Sequence, residues 1–176
     1  MKRISFRLIL LCSCFFVYAC NTASPEKYFD VAVLNTNMLH GFADRGFLRE
    51  FESPSMKLDQ STNQAVPMKR KEVVDTKIAF LEQSLSKVKA LGDDGEAGPM
   101  VKNSVQLYEY VLPVYKNEYS KLAGLYDSGA PKEEISAFAQ SIHDKYYPRF
   151  DELYTSLISL GKDYAKKHSI QVSWGM

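Results

Sequence analysis

Cysteine, histidine and tryptophan are scarce in this chain, and the first two scarcities exclude several kinds of site. The three cysteines all lie within the first 20 residues, which excludes a disulfide framework or a cysteine-rich metal site in the remainder. The three histidines do not occur in His-Glu-x-x-His or Glu-x-x-His motifs, the usual ligand patterns of helical zinc proteases and di-iron bundles. The sequence therefore predicts no metal and no cofactor.

An excess of charge of one sign is also lacking. The 22 basic and 21 acidic side chains give a formal net charge of +1, so no strong field favours a nucleic-acid partner. A phosphate-binding glycine loop and a Gly-x-Ser-x-Gly elbow are absent from the sequence. With 45% hydrophobic and 24% charged residues, the composition is typical of one globular domain, and we expect it not to be an enzyme.

The N-terminal segment has the pattern of an export signal. Three basic residues stand within the first seven positions, and an apolar run follows from Leu8 to Tyr18, with Ala19 directly before Cys20. The run spans 11 residues, fewer than the ~20 needed to cross a membrane. These features predict a cleaved signal peptide over residues 1–19, with a short uncleaved anchor as the alternative.

The segment Val17-Tyr18-Ala19-Cys20 resembles the lipobox of bacterial lipoproteins. In that family the cysteine thiol receives a diacylglyceryl group, the signal is cut before it, and the new amine is usually acylated. The resemblance covers only this segment, and Tyr18 stands where a small residue is usual, which suggests a looser form of the motif. It implies lipidation of Cys20 and a place in the bacterial envelope. Asn21 is compatible with the outer membrane, on its periplasmic or its surface face.

Helical periodicity covers most of the remaining chain. Residues 20–24 are expected to form a lipidated tether, of which the four residues after Cys20 reach about 14 Å when fully extended. Four segments then repeat apolar residues at spacings of three and four. They predict an all-α fold, an elongated antiparallel four-helix bundle over residues 25–168, with a break of the first helix around 40–46 and a loop over 53–67. An extended tail over 169–176 follows, and we expect its tryptophan, Trp174, to pack against the bundle or a partner.

Two prolines inside the third and fourth helices suggest a pocket. Pro113 and Pro148 are expected at nearly the same height in an antiparallel pair. Each removes a helix hydrogen bond, so the helices either curve together or open a gap. The aromatic side chains either ring that gap as a ligand or partner pocket or form ordinary core. The tyrosines concerned are Tyr110, Tyr115, Tyr146 and Tyr147.

A basic run opens the second helix. Lys69, Arg70 and Lys71 stand where cations oppose the helix dipole. One interpretation is contact with anionic lipid headgroups, worth roughly 1 kcal/mol per cation. The other is a solvated helix start whose charge is offset by Glu72 and Asp75.

Together these features predict a lipid-anchored bacterial envelope protein with a non-enzymatic binding or structural role. Its partners would be the membrane, through Cys20, and an unknown envelope protein. One alternative is an inhibitor or immunity-type protein that captures a protein partner through the loop Ser53–Pro67. A second is a helical bundle that binds a small ligand, or an enzyme with an unrecognised site.

Overall fold

The computed structural model describes residues 23–92 and 95–174. The predicted signal peptide and Cys20 lie outside the described residues. The fold is mostly helical, with one small two-stranded antiparallel sheet. In chain order the elements are α1 (Pro25–Ala32), a 3-10 helix (Leu34–Leu39), α2 (Arg45–Glu52), β1 (Met56–Asp59), β2 (Gln64–Pro67), α3 (Arg70–Lys89), α4 (Gly98–Val114), a π-helical turn (Tyr115–Tyr119), α5 (Ser120–Ser128) and α6 (Lys132–Lys167). Within the two described ranges no helix has both the length and the apolar character of a membrane span.

The first predicted helix is interrupted twice. Its start is as expected, because the Ser24 hydroxyl accepts a hydrogen bond from the Lys27 N–H and a proline follows. The α-helix already ends at Ala32, and a 3-10 helix follows. Gly41 and Ala43 then take positive φ angles of 83° and 53°, which a right-handed helix cannot accommodate. The predicted break around 40–46 is confirmed, and the prediction of one helix on its N-terminal side is wrong.

The segment predicted as a loop over 53–67 contains the two strands. They pair antiparallel, with Leu58 opposite Ala65. The reversal between them is held by the Asp59 carboxylate, which accepts hydrogen bonds from the Ser61 N–H and hydroxyl at 2.8 and 2.6 Å. These bonds lower the pKa of Asp59. The loop prediction failed because each strand has only four residues and only β1 alternates apolar and polar side chains, which is too short a pattern to indicate a strand.

Ion pairs give the direction of α3 relative to the next helix. Lys89 pairs with Glu109 at 2.6 Å, and Glu82 pairs with Lys116 at 2.6 Å. Residue numbers therefore fall along α3 as they rise along α4 and the π turn. The two segments are antiparallel neighbours.

The two predicted helices that contain Pro113 and Pro148 correspond to α4–α5 and α6, and they are also antiparallel. The Asn103 amide donates to the Ser156 hydroxyl at 2.8 Å, and the Lys121 ammonium lies 4.7 Å from the centre of the Phe138 ring. The last predicted helix is one continuous element of 36 residues. Because α4 packs against both α3 and α6, it is the central helix of the domain.

The described part of the tail folds back onto the helices. The Trp174 ring meets the Phe29 ring edge-on, with 5.8 Å between centroids. The Lys162 ammonium lies 5.5 Å from the centre of the same indole. The expectation that Trp174 packs against the domain is confirmed.

Candidate functional site

Residues 41–46, Gly-Phe-Ala-Asp-Arg-Gly, form a closed loop that leads into the first turn of α2. Its two glycines touch: a Cβ atom on Gly46 would lie 3.0 Å from the Cα of Gly41. No larger residue fits this approach without a backbone shift, and Gly41 also needs its positive φ. The closure leaves Asp44 and Arg45 exposed while Phe42 enters the core.

The buried peptide of Ala43 is held from both sides. Its N–H donates to the Tyr119 hydroxyl at 2.7 Å, and its carbonyl is 2.7 Å from Nδ1 of His143. Because a carbonyl oxygen only accepts, Nδ1 carries a hydrogen and donates it in this bond. The imidazole also stacks on Tyr147, with 4.9 Å between centroids. The 41–46 loop is therefore fixed to the π turn and to α6.

Replacing Tyr119 by phenylalanine should destabilise the protein by about 1–3 kcal/mol, because the buried Ala43 N–H loses its acceptor. Tyr115→Phe is the matched control. Tyr115 lies in the same π turn as Tyr119 and packs against Phe42 and Phe47, but the Ala43 N–H donates to Tyr119. Urea unfolding of both variants makes the comparison. Equal losses would show that the Tyr119–Ala43 bond does not hold the loop.

Three clefts lie between residues 33–49 and α6. The first, about 470 Å3, and the second, about 500 Å3, flank the 41–46 loop and share Asp44 and Arg45. The third, about 210 Å3, shares His40 and Tyr154 with the second. Together their linings extend along α6 from Ser136 to Lys162, a distance of about 39 Å along the helix. The α6 residues that line them are Ser136, Ala139, Gln140, Ile142, His143, Tyr147, Phe150, Asp151, Tyr154, Ile158 and Lys162.

The sequence did not reveal these clefts because their lining on α6 mixes charged, polar, apolar and aromatic residues. Spacings of three and four between some of these residues were the available signal, but an amphipathic helix is recognised by an apolar stripe. The prominent apolar stripe of α6 faces the core instead.

The second cleft is lined by four charged residues. Arg45 and Arg49 lie one turn apart on α2, and carboxylates come from Asp44 and Asp151. Within residues 23–92 and 95–174, none of these four side chains forms an ion pair or a hydrogen bond. The cleft thus presents two guanidinium groups and two carboxylates that do not neutralise one another by contact.

The four tyrosines of the predicted pocket occupy three settings. Tyr115 is fully buried beside Phe42, and burial raises the pKa of its phenol well above the usual value. Tyr110 donates to the carbonyl of Tyr146, whose own hydroxyl donates to a glutamate. Tyr147 stacks on an imidazole and lines the second cleft. One of the four tyrosines is therefore in the core, two form a contact between helices, and one lines the second cleft.

The basic run belongs to a junction at one end of the helices. The carboxylate of Asp127 accepts hydrogen bonds from the N–H groups of Arg70 and Lys71 at 2.9 and 3.0 Å. The Arg70 guanidinium donates to the carbonyl of Phe51. Asp127 supplies the negative charge that this helix start needs, and the sequence could not show it because the residue lies 57 positions away. Lys69, the third cation, donates its own N–H to Glu72.

The hairpin projects near the same end and has an exposed apolar face. Met56 is 57% exposed and Leu58 is 61% exposed. Their partners across the sheet, Pro67 and Ala65, share that face because directly opposed residues point the same way. Each strand of this two-stranded sheet also has one edge with no strand beside it in the described chain.

This end is remote from the described N-terminus. The Tyr28 hydroxyl in α1 donates to the carbonyl of Leu91, just beyond the far end of α3. The 20 residues of α3 separate that point from the hairpin by about 30 Å. The hairpin and the start of the described chain therefore occupy opposite ends of the domain.

No group of three or more histidine, cysteine or acidic side chains that could hold a metal occurs in the described part of the chain. Comparisons with protein-family models, curated proteins and solved structures found no match.

Proposed function

We propose that this chain is a lipid-anchored protein of the bacterial envelope with a non-enzymatic binding role, and that its hairpin binds a protein partner. The anchor is a diacylglyceryl group on Cys20, in keeping with the lipobox-like segment and the single cysteine after residue 19. Asn21 favours the outer membrane. Two or three acyl chains would hold the protein there without a spanning helix, at ~0.8 kcal/mol per buried methylene.

The domain is proposed to be an elongated antiparallel four-helix bundle. The antiparallel ion pairs between α3 and the next segment support this arrangement, as do the contacts between α4 and α6. The interrupted segment from α1 to α2 would be the fourth member, since α1 contacts α3, α4 and α6.

The exposed apolar face of the hairpin supports protein binding most strongly. Burying two such side chains gains about 1.5–3 kcal/mol each, whereas a monomer gains nothing from exposing them together at a projecting tip. Strand addition to an open edge would supply main-chain hydrogen bonds as well. This proposal corresponds to the inhibitor or immunity-type alternative, with Ser53–Pro67 as the contact segment.

The position of the hairpin suits a partner in the aqueous compartment. A tether over residues 20–24 would keep the α1 end close to the lipid, and the hairpin would then stand about 30 Å further out. In that orientation Lys69 and Lys71 lie far from the headgroups. The basic run would contact the lipid headgroups only if the domain lay flat on the membrane instead.

The test places a photo-cross-linking amino acid at Leu58 of the full chain in the source bacterium. A discrete cross-linked protein is expected at this position. The same probe at Phe80, which is 53% exposed on α3, is the control and should give none. Identical products from both positions, or none from Leu58, would contradict hairpin binding.

A paired variant tests the same contact by function. Met56→Asp with Leu58→Asp should abolish the cross-link made from a neighbouring position, Ala65, while the free energy of unfolding changes by about 0.5 kcal/mol or less. Gln60→Asp adds a charge to the same exposed hairpin and should preserve the cross-link. Full retention by the double variant would contradict the apolar contact.

A further inference from the structure

We propose that the second cleft, between the 41–46 loop, α2 and α6, binds a small zwitterion: an amino acid or short peptide with free amino and carboxyl groups. The site is separate from the hairpin, about 500 Å3 in volume, and within the ~300–1,000 Å3 of small-molecule sites. It does not depend on a protein partner.

The charges of the cleft determine the ligand class. Arg45 and Arg49 are one helical turn apart, and guanidinium groups bind carboxylates through paired, charge-assisted hydrogen bonds. Asp44 and Asp151 are the matching acceptors for an ammonium group. A simple anion would meet the two carboxylates, and a simple cation would meet the two guanidinium groups. In a zwitterion, the carboxylate can pair with the arginines and the ammonium group can pair with the aspartates.

The absence of internal pairing makes this inference specific. On the same stretch of α6, Arg149 pairs with Glu152 at 2.8 Å. Asp151 lies between them in sequence but faces the cleft and has no ion-pair partner among the described residues. The guanidinium groups of Arg45 and Arg49 are equally free in the part of the chain that the structure describes. These groups are thus available to a ligand without breaking an existing pair.

The wall of the cleft suits an apolar or aromatic side chain on the ligand. Phe42 and Phe150 lie deep in it and pack against each other at 4.7 Å between ring centroids. Tyr147 and Tyr154 are half-buried on the α6 side. Aromatic faces also attract an ammonium group. The cleft therefore combines an aromatic surface with charges of both signs.

The frame of the cleft is preformed. The glycine contact closes the 41–46 loop, and the bonds of Ala43 to Tyr119 and His143 fix it to two other elements. Little backbone ordering is then required on binding, which favours affinity for a small ligand.

The test measures binding of five probes to the full mature chain in detergent by isothermal titration calorimetry. The probes are L-phenylalanine, L-leucine, L-lysine, L-glutamate and glycylglycine. At least one should bind, and its N-acetyl form and its carboxamide, which each lack one charge, should bind at least about tenfold more weakly, because one charge-assisted hydrogen bond is worth ~1.5–3 kcal/mol. No binding of any probe would overturn the proposal, as would equal binding of the blocked forms.

Variants locate the site. Arg45→Gln with Arg49→Gln should weaken binding of the zwitterion about tenfold or more, yet leave the carboxamide form unchanged, since that form has no carboxylate to lose. Asp151→Asn should weaken both, because each carries the ammonium group. Arg149→Gln, on α6 outside the cleft, is the control and should bind as wild type. Unchanged binding by the double variant and Asp151→Asn would overturn the assignment to this cleft.

Discussion

Phe42→Ala is expected to lower the free energy of unfolding by about 3–5 kcal/mol, the range for a phenylalanine removed from a packed core. Phe42 is 1% exposed, and its ring contacts those of Tyr115, Tyr119 and Phe150 with centroids 4.7 to 5.9 Å apart. Alanine would leave a void among rings that are anchored on two different helices. For a chain of this size the melting temperature should fall by roughly 6–20 °C.

Phe80→Ala is the matched control for this prediction. The chemical change is the same, but Phe80 is 53% exposed on α3, so the free energy of unfolding should change by about 0.5 kcal/mol or less. Urea unfolding of the two variants makes the comparison. A similar loss in both would show that the 41–46 loop does not anchor the core.

The loop connects stability with binding. Phe42 enters the core from the loop whose Asp44 and Arg45 line the first and second clefts. Loss of its ring should therefore loosen the cleft walls, and zwitterion binding should weaken in Phe42→Ala even at temperatures where the helices remain folded.

The long helices were predictable because their signal repeats many times. The third predicted segment repeats the three-four alternation across eight positions, from Val101 to Tyr126, and all of these residues are buried or half-buried. Repetition of this kind outweighs single unfavourable residues such as Pro113 and Pro148. Both prolines are exposed, and a π turn follows the first of them.

The irregular segments were not predictable in the same way, because long-range contacts determine them. The positive φ of Ala43 depends on hydrogen bonds to Tyr119 and His143, 76 and 100 residues further along the chain. The hairpin has only four residues in each strand. No local pattern of useful length encodes either feature.

The candidate sites show the same division. Sequence reasoning named Tyr147, which lines the second cleft, but grouped it with Tyr115, which is core. Separating them requires the direction of each side chain around its helix. The sequence also suggested Ser53–Pro67 as a contact segment, but it did not predict the two strands within it. That Arg45 and Arg49 have no ion-pair partner among the described residues was not predictable, since a sequence does not state which charges are paired.

Cys20→Ser should abolish lipid attachment entirely, because a serine hydroxyl cannot replace the thiol that accepts the diacylglyceryl group in lipoproteins. Three fatty chains together contribute tens of kcal/mol at ~0.8 kcal/mol per methylene, so the change is all or none. The variant should remain as an uncut precursor for the lipoprotein pathway. Cys12→Ser and Cys14→Ser, within the predicted signal peptide, are controls that should be processed normally.

Intact mass spectrometry of the wild-type chain, purified from the envelope of its source bacterium, tests the lipid anchor most directly. The account predicts a chain that begins at Cys20 and carries a diacylglyceryl group, with a further acyl chain on the new amine. Recovery of a chain whose Cys20 carries no lipid would contradict it.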